Sequence, residues 1–411
     1  MASENKNGLI PGNFPKSYWL EVPPLTGSTD APPKRTGIVV VGSGLAGASA
    51  AYWLQKAGFD DVTVVDYLTE QAATFRNAGH ILYGTVESMK AMVELHGEAK
   101  AKELWQFSID ICNQVETTIN ELDIAADYKR DGYLVISIDE TEDKECRDSV
   151  TFLNKMGYQS DYVSAEDVYK MGFRNCYGAR FEKGSARAHP TKFRNGVLRT
   201  FLERGGKYHS GVQVTAVDEH GDGVTVKTSK GTIECDAVVL CTNAYTPLFS
   251  SFFEGLVDPY RGQIIASKPL KHRFPVKHAH SFDHGYQYAV VTEDNRLVLG
   301  GWRNHSSTRE MGIYSIDINT HIEQGLKQFA QDYYGIGEKI EWSHSWAGIM
   351  ALSKTSLPFI GNTSSPRIYS CLAFTGHGFS WAHGSAKLLA DIMAGNPLPE
   401  VARHFNPKLA K

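Results

Sequence analysis

Little in this 411-residue chain points to a metal, a membrane or a nucleic acid. Its six cysteines, Cys112, Cys146, Cys176, Cys235, Cys241 and Cys371, stand far apart with no Cys-x-x-Cys pair. That spacing indicates neither a zinc site nor a disulfide framework, and reduced thiols in a cytoplasmic protein are the simpler reading. No apolar run reaches the roughly eighteen residues that a membrane span needs. The net charge of −4 gives no reason to expect nucleic acid or an anionic membrane as partner. A secretory h-region is lacking too: residues 1–35 are polar, hold six of the sixteen prolines, and read as an extended arm lying over the body. What remains is a chain long enough to bury a large core and to divide into two domains.

The informative stretch is residues 37–66. Ile38–Val41 is short, β-branched and apolar on both faces, as in a central strand of a parallel sheet. Gly42, Gly44 and Gly47 follow at G-x-G-x-x-G spacing, which predicts a tight turn, a close backbone approach to a pyrophosphate, and close packing of the next helix on the strand. That helix is predicted over 45–56, with N-terminal N–H groups free for phosphate. Gly58 closes it and Val62–Val65 forms the next strand. Asp66 then stands where a carboxylate accepts hydrogen bonds from a ribose 2′-hydroxyl. Strand, turn, helix and acid together point to an adenine dinucleotide.

Further along, Thr74–Leu82 mixes small and polar residues, as backbone close to a ligand does. Residues 87–122 have helical spacing and read as surface helices. A strand from Tyr133, a helix over 142–156, and a strand running from Tyr162 into a capped helix follow. A helix is predicted over 191–204, then strands over 212–217, 224–228, 231–235 and 237–240. Residues 286–291 and 296–302 read as an antiparallel pair, and strands without a crossover helix belong to a separate antiparallel sheet. A terminal helix over 384–393 is stopped by Gly395-Asn396-Pro397.

Seven short motifs stand in order: Val41-Gly-Ser-Gly-Leu-Ala-Gly47, Phe75-Arg-Asn-Ala-Gly79, His189-Pro190, Thr242-Asn-Ala-Tyr245, Pro259-Tyr-Arg-Gly-Gln263, Leu299-Gly-Gly-Trp302 and Thr375-Gly-His-Gly378. Through them nearly the whole chain resembles the D-amino-acid-oxidase-like FAD-dependent oxidoreductases, which include glycine oxidase, D-amino-acid dehydrogenase, sarcosine oxidase and γ-glutamylputrescine oxidase. The arm, with Ser17-Tyr18-Trp19 and Pro23-Pro24, is similar to the extension on γ-glutamylputrescine oxidases. The implied fold class is α/β with α+β elaboration: a Rossmann-type FAD-binding domain and a substrate domain built on an antiparallel sheet. After the arm, the FAD-binding domain takes 36–90, 185–250 and 342–411, and the substrate domain takes 91–184 and 251–341.

The resemblance implies FAD bound in extended form. Gly42, Ser43, Gly44, Leu45, Ala46 and Gly47 would lie at the pyrophosphate, Asp66 and Tyr67 at the adenosine ribose, Val214 near adenine, and Thr242 on the pyrophosphate side. Arg76, Asn77, Ala78 and Gly79 would pass along the flavin, with His80 packed against the ring. Gly348 and Gly376, His377, Gly378 and Phe379 would reach its pyrimidine end. N–H groups at a helix N-terminus there stabilise the negative charge of the reduced ring, which raises its tendency to accept a hydride. Relatives with covalent flavin use a cysteine ahead of the terminal motif or a histidine before the Ala-Gly-like turn. Here residues 347–353 hold no cysteine and Asn77 takes the histidine's place, so non-covalent FAD is implied.

The implied reaction oxidises a C–N bond in an amine or N-substituted amino acid. Hydride passes to flavin N5 from the carbon beside a neutral nitrogen, and the imine hydrolyses to a carbonyl compound plus an amine or ammonia, with O2 reduced to H2O2. The alternatives are a quinone- or dye-linked dehydrogenase, and a flavin-binding protein without turnover. The catalytic candidates are His80, Arg303, Trp346 and His377. Arg303 binds a substrate carboxylate, stands where sarcosine oxidases keep an oxygen-activating lysine, or ends a strand at the surface. Trp346 and Tyr286 wall the pocket or belong to the core, His377 lines a ring face or only fills its turn, and Arg261 and His189 read as structural. The expected partners are a small amine or amino acid and oxygen or another acceptor, with no nucleic acid, no metal and no membrane span; the oligomeric state is open.

Overall fold

The computed structural model describes residues 14–410, so the start of the predicted arm, residues 1–13, lies outside the described residues. The chain opens with β1 (Arg35–Val41), α1 (Leu45–Lys56) and β2 (Val62–Asp66). Val40 packs into one buried cluster with α1, and Val39 and Val41 pack into another on the opposite face. Both faces of β1 are therefore covered, which is why its residues are apolar without alternation; each fully buried valine contributes about 1.5–3 kcal/mol.

Next come β3 (His80–Ile81), α2 (Met89–His96), α3 (Glu98–Glu121), β4 (Tyr133–Ile136), α4 (Glu140–Lys155), β5 (Asp161–Val163), α5 (Ala165–Lys170), β6 (Ala179–Glu182) and β7 (Ala186–Arg187). The chain returns through α6 (Pro190–Glu203), β8 (Lys207–Ser210), β9 (Val214–His220), β10 (Gly223–Thr228) and β11 (Gly231–Leu240). It goes out again through β12 (Val257–Ser267), β13 (Ala279–Phe282), β14 (Gln287–Val291), β15 (Leu297–Gly301), α7 (Thr320–Tyr333) and β16 (Trp342–Ser353). It closes with β17 (Phe359–Asn362), β18 (Ile368–Leu372) and α8 (Gly378–Ala394).

The first sheet runs β17-β18-β11-β1-β2-β8, with β10 and β9 continuing from β11. Its members β18, β11, β1, β2 and β8 are parallel. Residues 231–240, read from the sequence as two strands, form the single strand β11. Its first half pairs antiparallel with β10 and its second half parallel with β1. Asp236 does not break it because the carboxylate points to solvent and meets Arg35 at 2.9 Å. The second sheet runs β16-β12-β15-β14-β13-β4-β6-β5. It is antiparallel except where β4 and β13 pair in parallel, so the predicted antiparallel sheet carries one parallel joint where its two chain segments meet.

The terminal helix starts at Gly378 rather than Gly384. Glycine disfavours a helix interior, but a Cβ on Gly384 would sit 2.3 Å from Ile111 Cγ2, so α3 crosses α8 at that point and only glycine gives the room. His383 ties the helices together: its Nδ1 lies 2.9 Å from Ser49 Oγ on α1 and its Nε2 lies 2.9 Å from Thr118 Oγ1 on α3. Burial pushes this imidazole down to about 3, so it is neutral. The described part of the arm lies over α6 and the loop before β3. Trp19 Nε1 donates to Asn77 O at 2.6 Å, Thr191 Oγ1 donates to Trp19 O at 2.9 Å, and Leu25 N donates to Asn195 Oδ1 at 2.9 Å. Among the described residues no helix is long and apolar enough to cross a membrane.

Candidate functional site

A cavity of about 1040 Å³ lies between the carboxyl ends of β1, β2 and β11 and one face of the second sheet. Crevices at the carboxyl ends of parallel strands are where open α/β sheets bind ligands. Its size is at the upper limit of the ~300–1,000 Å³ typical of small-ligand pockets, as an elongated ligand requires.

Gly42, Ser43, Gly44, Leu45 and Ala46 line one end. Gly42 has φ +100°, and a Cβ there would meet Cys241 O at 2.9 Å. Gly47 does not line the cavity; a Cβ on it would lie 1.7 Å from Gly42 O, so its place is in the contact between α1 and the turn. Behind the turn sits Arg194, wholly buried, donating from Nε to Ser43 O at 2.7 Å, from Nη2 to Ser43 Oγ at 2.9 Å and from Nη1 to Leu25 O at 2.7 Å. With the Ser43 carbonyl turned to the guanidinium, the trans peptide aims the Gly44 N–H the other way, into the cavity. Burial lowers the Arg194 pKa, and the phenol of Tyr208 and the carboxylate of Asp66 oppose that shift.

Asp66 and Tyr67 line the same end. The Asp66 carboxylate accepts from Ser43 Oγ, from Thr69 Oγ1 at 2.9 Å and from the Tyr67 amide at 2.8 Å. These bonds fix its rotamer and leave acceptor capacity for a hydroxyl on the ligand. Val214 and Thr242 complete this half.

Arg76, Asn77, Ala78 and His80 line the middle. Arg76 is a brace: Nη1 donates to Ala347 O at 2.6 Å, Nε to Glu70 O at 3.1 Å and Nη2 to Pro15 O at 3.2 Å. Desolvation lowers its pKa to about 10, which leaves it charged at neutral pH. Gly348 faces it closely, since a Cβ there would meet Arg76 Cβ at 2.7 Å. Gly79 lies outside the lining; at φ +78° it passes so near Ala188 that a Cβ would meet Ala188 O at 2.7 Å. Trp346 is also outside. Its ring is fully buried and donates from Nε1 to Arg76 O at 3.2 Å; it shares a face of β16 with Gly348 and Met350, which line the cavity, but lies beyond the cavity's end in a cluster with Trp19, Ala78 and Ile264. It is a support for the Arg76 loop, which corrects its place among the catalytic candidates.

The second half of the cavity is lined by Tyr133, Tyr260, Tyr286, Tyr288, Met350 and Arg303. His80 Nε2 meets Ala289 O at 3.0 Å, and its ring stands edge-on to Tyr133 at 5.5 Å. Burial brings the imidazole down to about 4, so it is neutral, donates at Nε2 and keeps Nδ1 as an acceptor. His377 stands at the N-cap position of α8 without a side-chain cap bond, its Nδ1 3.3 Å from Thr375 O, and burial lowers its pKa too. Gly376, His377, Gly378 and Phe379 all line the cavity, so the first-turn amides of α8, which lack intrahelical acceptors, open towards it. The Arg303 guanidinium stands 5.0 Å from the ring centres of both Tyr260 and Tyr286, and among the described residues it has no ion-pair or hydrogen-bond partner. Arg261, by contrast, is held by buried Glu310 and by Asp317 O.

Sequence reasoning missed Arg194, Tyr245, Arg180 and Glu182. Each belongs to an otherwise ordinary helix, turn or strand, and only the Thr242-Asn-Ala-Tyr245 motif offered a signal. The Tyr245 hydroxyl is buried, its residue lines the cavity, and it has no hydrogen-bond partner among the described residues. A phenol in that position awaits an acceptor on a ligand. The orphaned phenol, the glycine cradle and the amides opening α1 and α8 fit an extended dinucleotide such as FAD.

A family model for FAD dependent oxidoreductases matches residues 37–392. The chain is similar to the probable oxidoreductase OrdL of Haemophilus influenzae, 25% identical over 384 residues, which cover 92% of this chain and 86% of the relative. It is similar also to the γ-glutamylputrescine oxidoreductase of Escherichia coli, 24% identical over 372 residues, covering 87% of this chain and 84% of that protein. In fold it is similar to glycine oxidase from Geobacillus kaustophilus, with a TM-score of 0.78 at 17% identity over 91% of this chain and 98% of the other.

Proposed function

This chain belongs to the family of FAD dependent oxidoreductases, and on that premise we propose that it oxidises the C–N bond of a carboxylate-bearing amine or amino acid, with FAD held non-covalently and O2 as electron acceptor. Arg303 is the observation that carries the reading. A cation with no counter-ion among the described residues, set between two tyrosine rings in the cavity wall, is a ready anchor for a substrate carboxylate.

When bound, FAD supplies the acceptor for the hydride that leaves the carbon beside the nitrogen. Arg303 would fix the carboxylate end and so set which hydrogen faces the cofactor. Neutral His80 offers Nδ1 to an N–H of the substrate and adds no charge to repel a cationic amine. The tyrosines exclude water from the reacting bond. Amides at the start of α8 supply donors where negative charge develops. The non-covalent reading is supported by the absence of cysteine from residues 347–353 and by the engagement of His80 Nε2 with Ala289 O. The free thiols suit a reducing, cytoplasmic setting.

The test is an anaerobic titration of the yellow protein against amines and amino acids, followed by readmission of air. Carboxylate-bearing amines are expected to bleach the flavin, and Arg303→Met to raise their saturation constant at least about tenfold, the worth of a charged hydrogen bond. Fast return of colour in air means an oxidase; slow return with fast dye reduction means the dehydrogenase alternative. If no amine bleaches the bound flavin, the reading is wrong.

A further inference from the structure

The second sheet presents a straight cross-strand row to the cavity. Tyr288 on β14 stands opposite Ser281 on β13, Ser281 beside Val135 on β4, and Val135 opposite Arg180 on β6. Two residues along, Tyr133 on β4 stands opposite Glu182 on β6. All six line the cavity. From Tyr288, near Arg303, to Arg180 the row crosses three strand spacings, about 14 Å in all. The wall thus has a cation at one end, a corridor of tyrosines, and a second charged group at the far end.

That far group is an ion pair. Arg180 Nη2 and Glu182 Oε1 are 2.8 Å apart, with side-chain exposures of only 16% and 9%. Burying two charges costs desolvation that an apolar pair of equal volume avoids, so stability alone does not account for them here. Neither partner is used up. Arg180 has no other side-chain hydrogen bond among the described residues, which leaves four of a guanidinium's five donors. Glu182 accepts one further bond, from Ser185 Oγ at 3.3 Å, out of a carboxylate's roughly four acceptor positions. A guanidinium and a carboxylate side by side are complementary to an ammonium and a carboxylate borne on one carbon.

We propose that Arg180 and Glu182 form a distal subsite for a second, zwitterionic α-amino-acid head group, so that the preferred substrate is a two-headed molecule with one end at the reacting C–N bond and the other on this pair. Arg180 takes the distal carboxylate and Glu182 the distal ammonium. The inference rests on the proposed C–N oxidation and names the substrate class for it.

The test uses the holoenzyme and two matched series in anaerobic flavin reduction. One series holds two-headed compounds of graded length, such as diaminopimelate, cystathionine and homocystine. The other holds one-headed counterparts of the same length, such as α-aminoheptanoate. The best two-headed compound is expected to saturate at a concentration at least about tenfold lower than its counterpart. Arg180→Met and Glu182→Gln should bring that ratio close to one, and Arg180→Lys should restore part of it. The change should fall on the saturation constant more than on the limiting rate. If the ratio is near one at every length while one-headed amino acids still bleach the flavin, the distal subsite is wrong and the C–N oxidation stands. Bleaching by neither series overturns both. Should Arg180→Met lose its flavin, the wild-type ratio and Arg180→Lys decide.

Discussion

Arg194→Met removes the guanidinium that holds the dinucleotide turn from behind. The side chain is wholly buried and makes three short bonds to Ser43 O, Ser43 Oγ and Leu25 O. Methionine fills much of the volume but leaves the buried carbonyl and hydroxyl of Ser43 and the half-buried carbonyl of Leu25 without their donor. Each orphaned acceptor costs about 1–3 kcal/mol, and relief of the desolvated cation returns part of this, so a net loss of about 3–5 kcal/mol is expected. Unfolding entropy scales at about 2.1 cal/mol/K per residue, so for a chain of this length the melting temperature should drop by about 4–6 °C. The Ser43–Gly44 peptide is then free to rotate, and the Gly44 N–H loses its aim into the cavity. FAD affinity should fall about tenfold, the worth of one well-placed charge-assisted hydrogen bond. Thermal denaturation of the apoprotein and quenching of FAD fluorescence on binding measure the two effects separately. Arg194→Lys should rescue little, because one ammonium cannot reproduce the fork. A melting shift under about 1 °C with unchanged FAD affinity would refute the role assigned to this arginine.

Tyr245→Phe separates cofactor binding from stability in the opposite sense. Its hydroxyl is a buried group with no partner among the described residues, so the apoprotein should gain about 1 kcal/mol while FAD binds about tenfold more weakly; equal affinity for both proteins would show that the phenol does not meet the cofactor. Acid should destabilise the fold through buried histidines. His80 and His189 are pushed down to about 4 and His280 and His383 to about 3, against 6.5 in the unfolded chain. Between about pH 6.5 and pH 4 the unfolded state therefore binds up to four more protons at these sites, and stability falls as pH falls, by about 5 kcal/mol per pH unit near pH 5. Urea denaturation at pH 7.5 and at pH 5 checks this, and equal midpoints at the two pH values would contradict it.

The first βαβ unit was legible because its determinants are local. Gly42 adopts φ +100°, α1 starts three residues later at Leu45, and Gly58 follows its end at φ +96°, all within residues 42–58. The start of α8 was not legible. Gly378 and Gly384 are poor helix formers, and the crossing of Ile111 from a helix some 270 residues away in sequence makes glycine the residue that fits. The same holds for β11, where Asp236 looks like a break until Arg35 is seen beside it. Trp346 looked like a pocket wall because aromatic residues often are, and its register in β16 does put it on the same face as the cavity-lining Gly348 and Met350, yet the Arg76 loop and Trp19 of the arm cover it.

From the order of its residues alone, this chain declares a glycine turn between strand and helix, the acid that follows it, and the motifs it shares with its family. Those signals survive in one dimension because a glycine turn and a strand end are made by neighbours. Tertiary structure decided the rest: that Arg194 grips the turn from α6, that Arg303 stands between two tyrosines with no ion-pair partner among the described residues, and that Arg180 and Glu182 reach the same cavity across four strands. Those residues acquire their meaning from desolvation and from counter-charges brought near or kept away, and neither is a property of sequence neighbours.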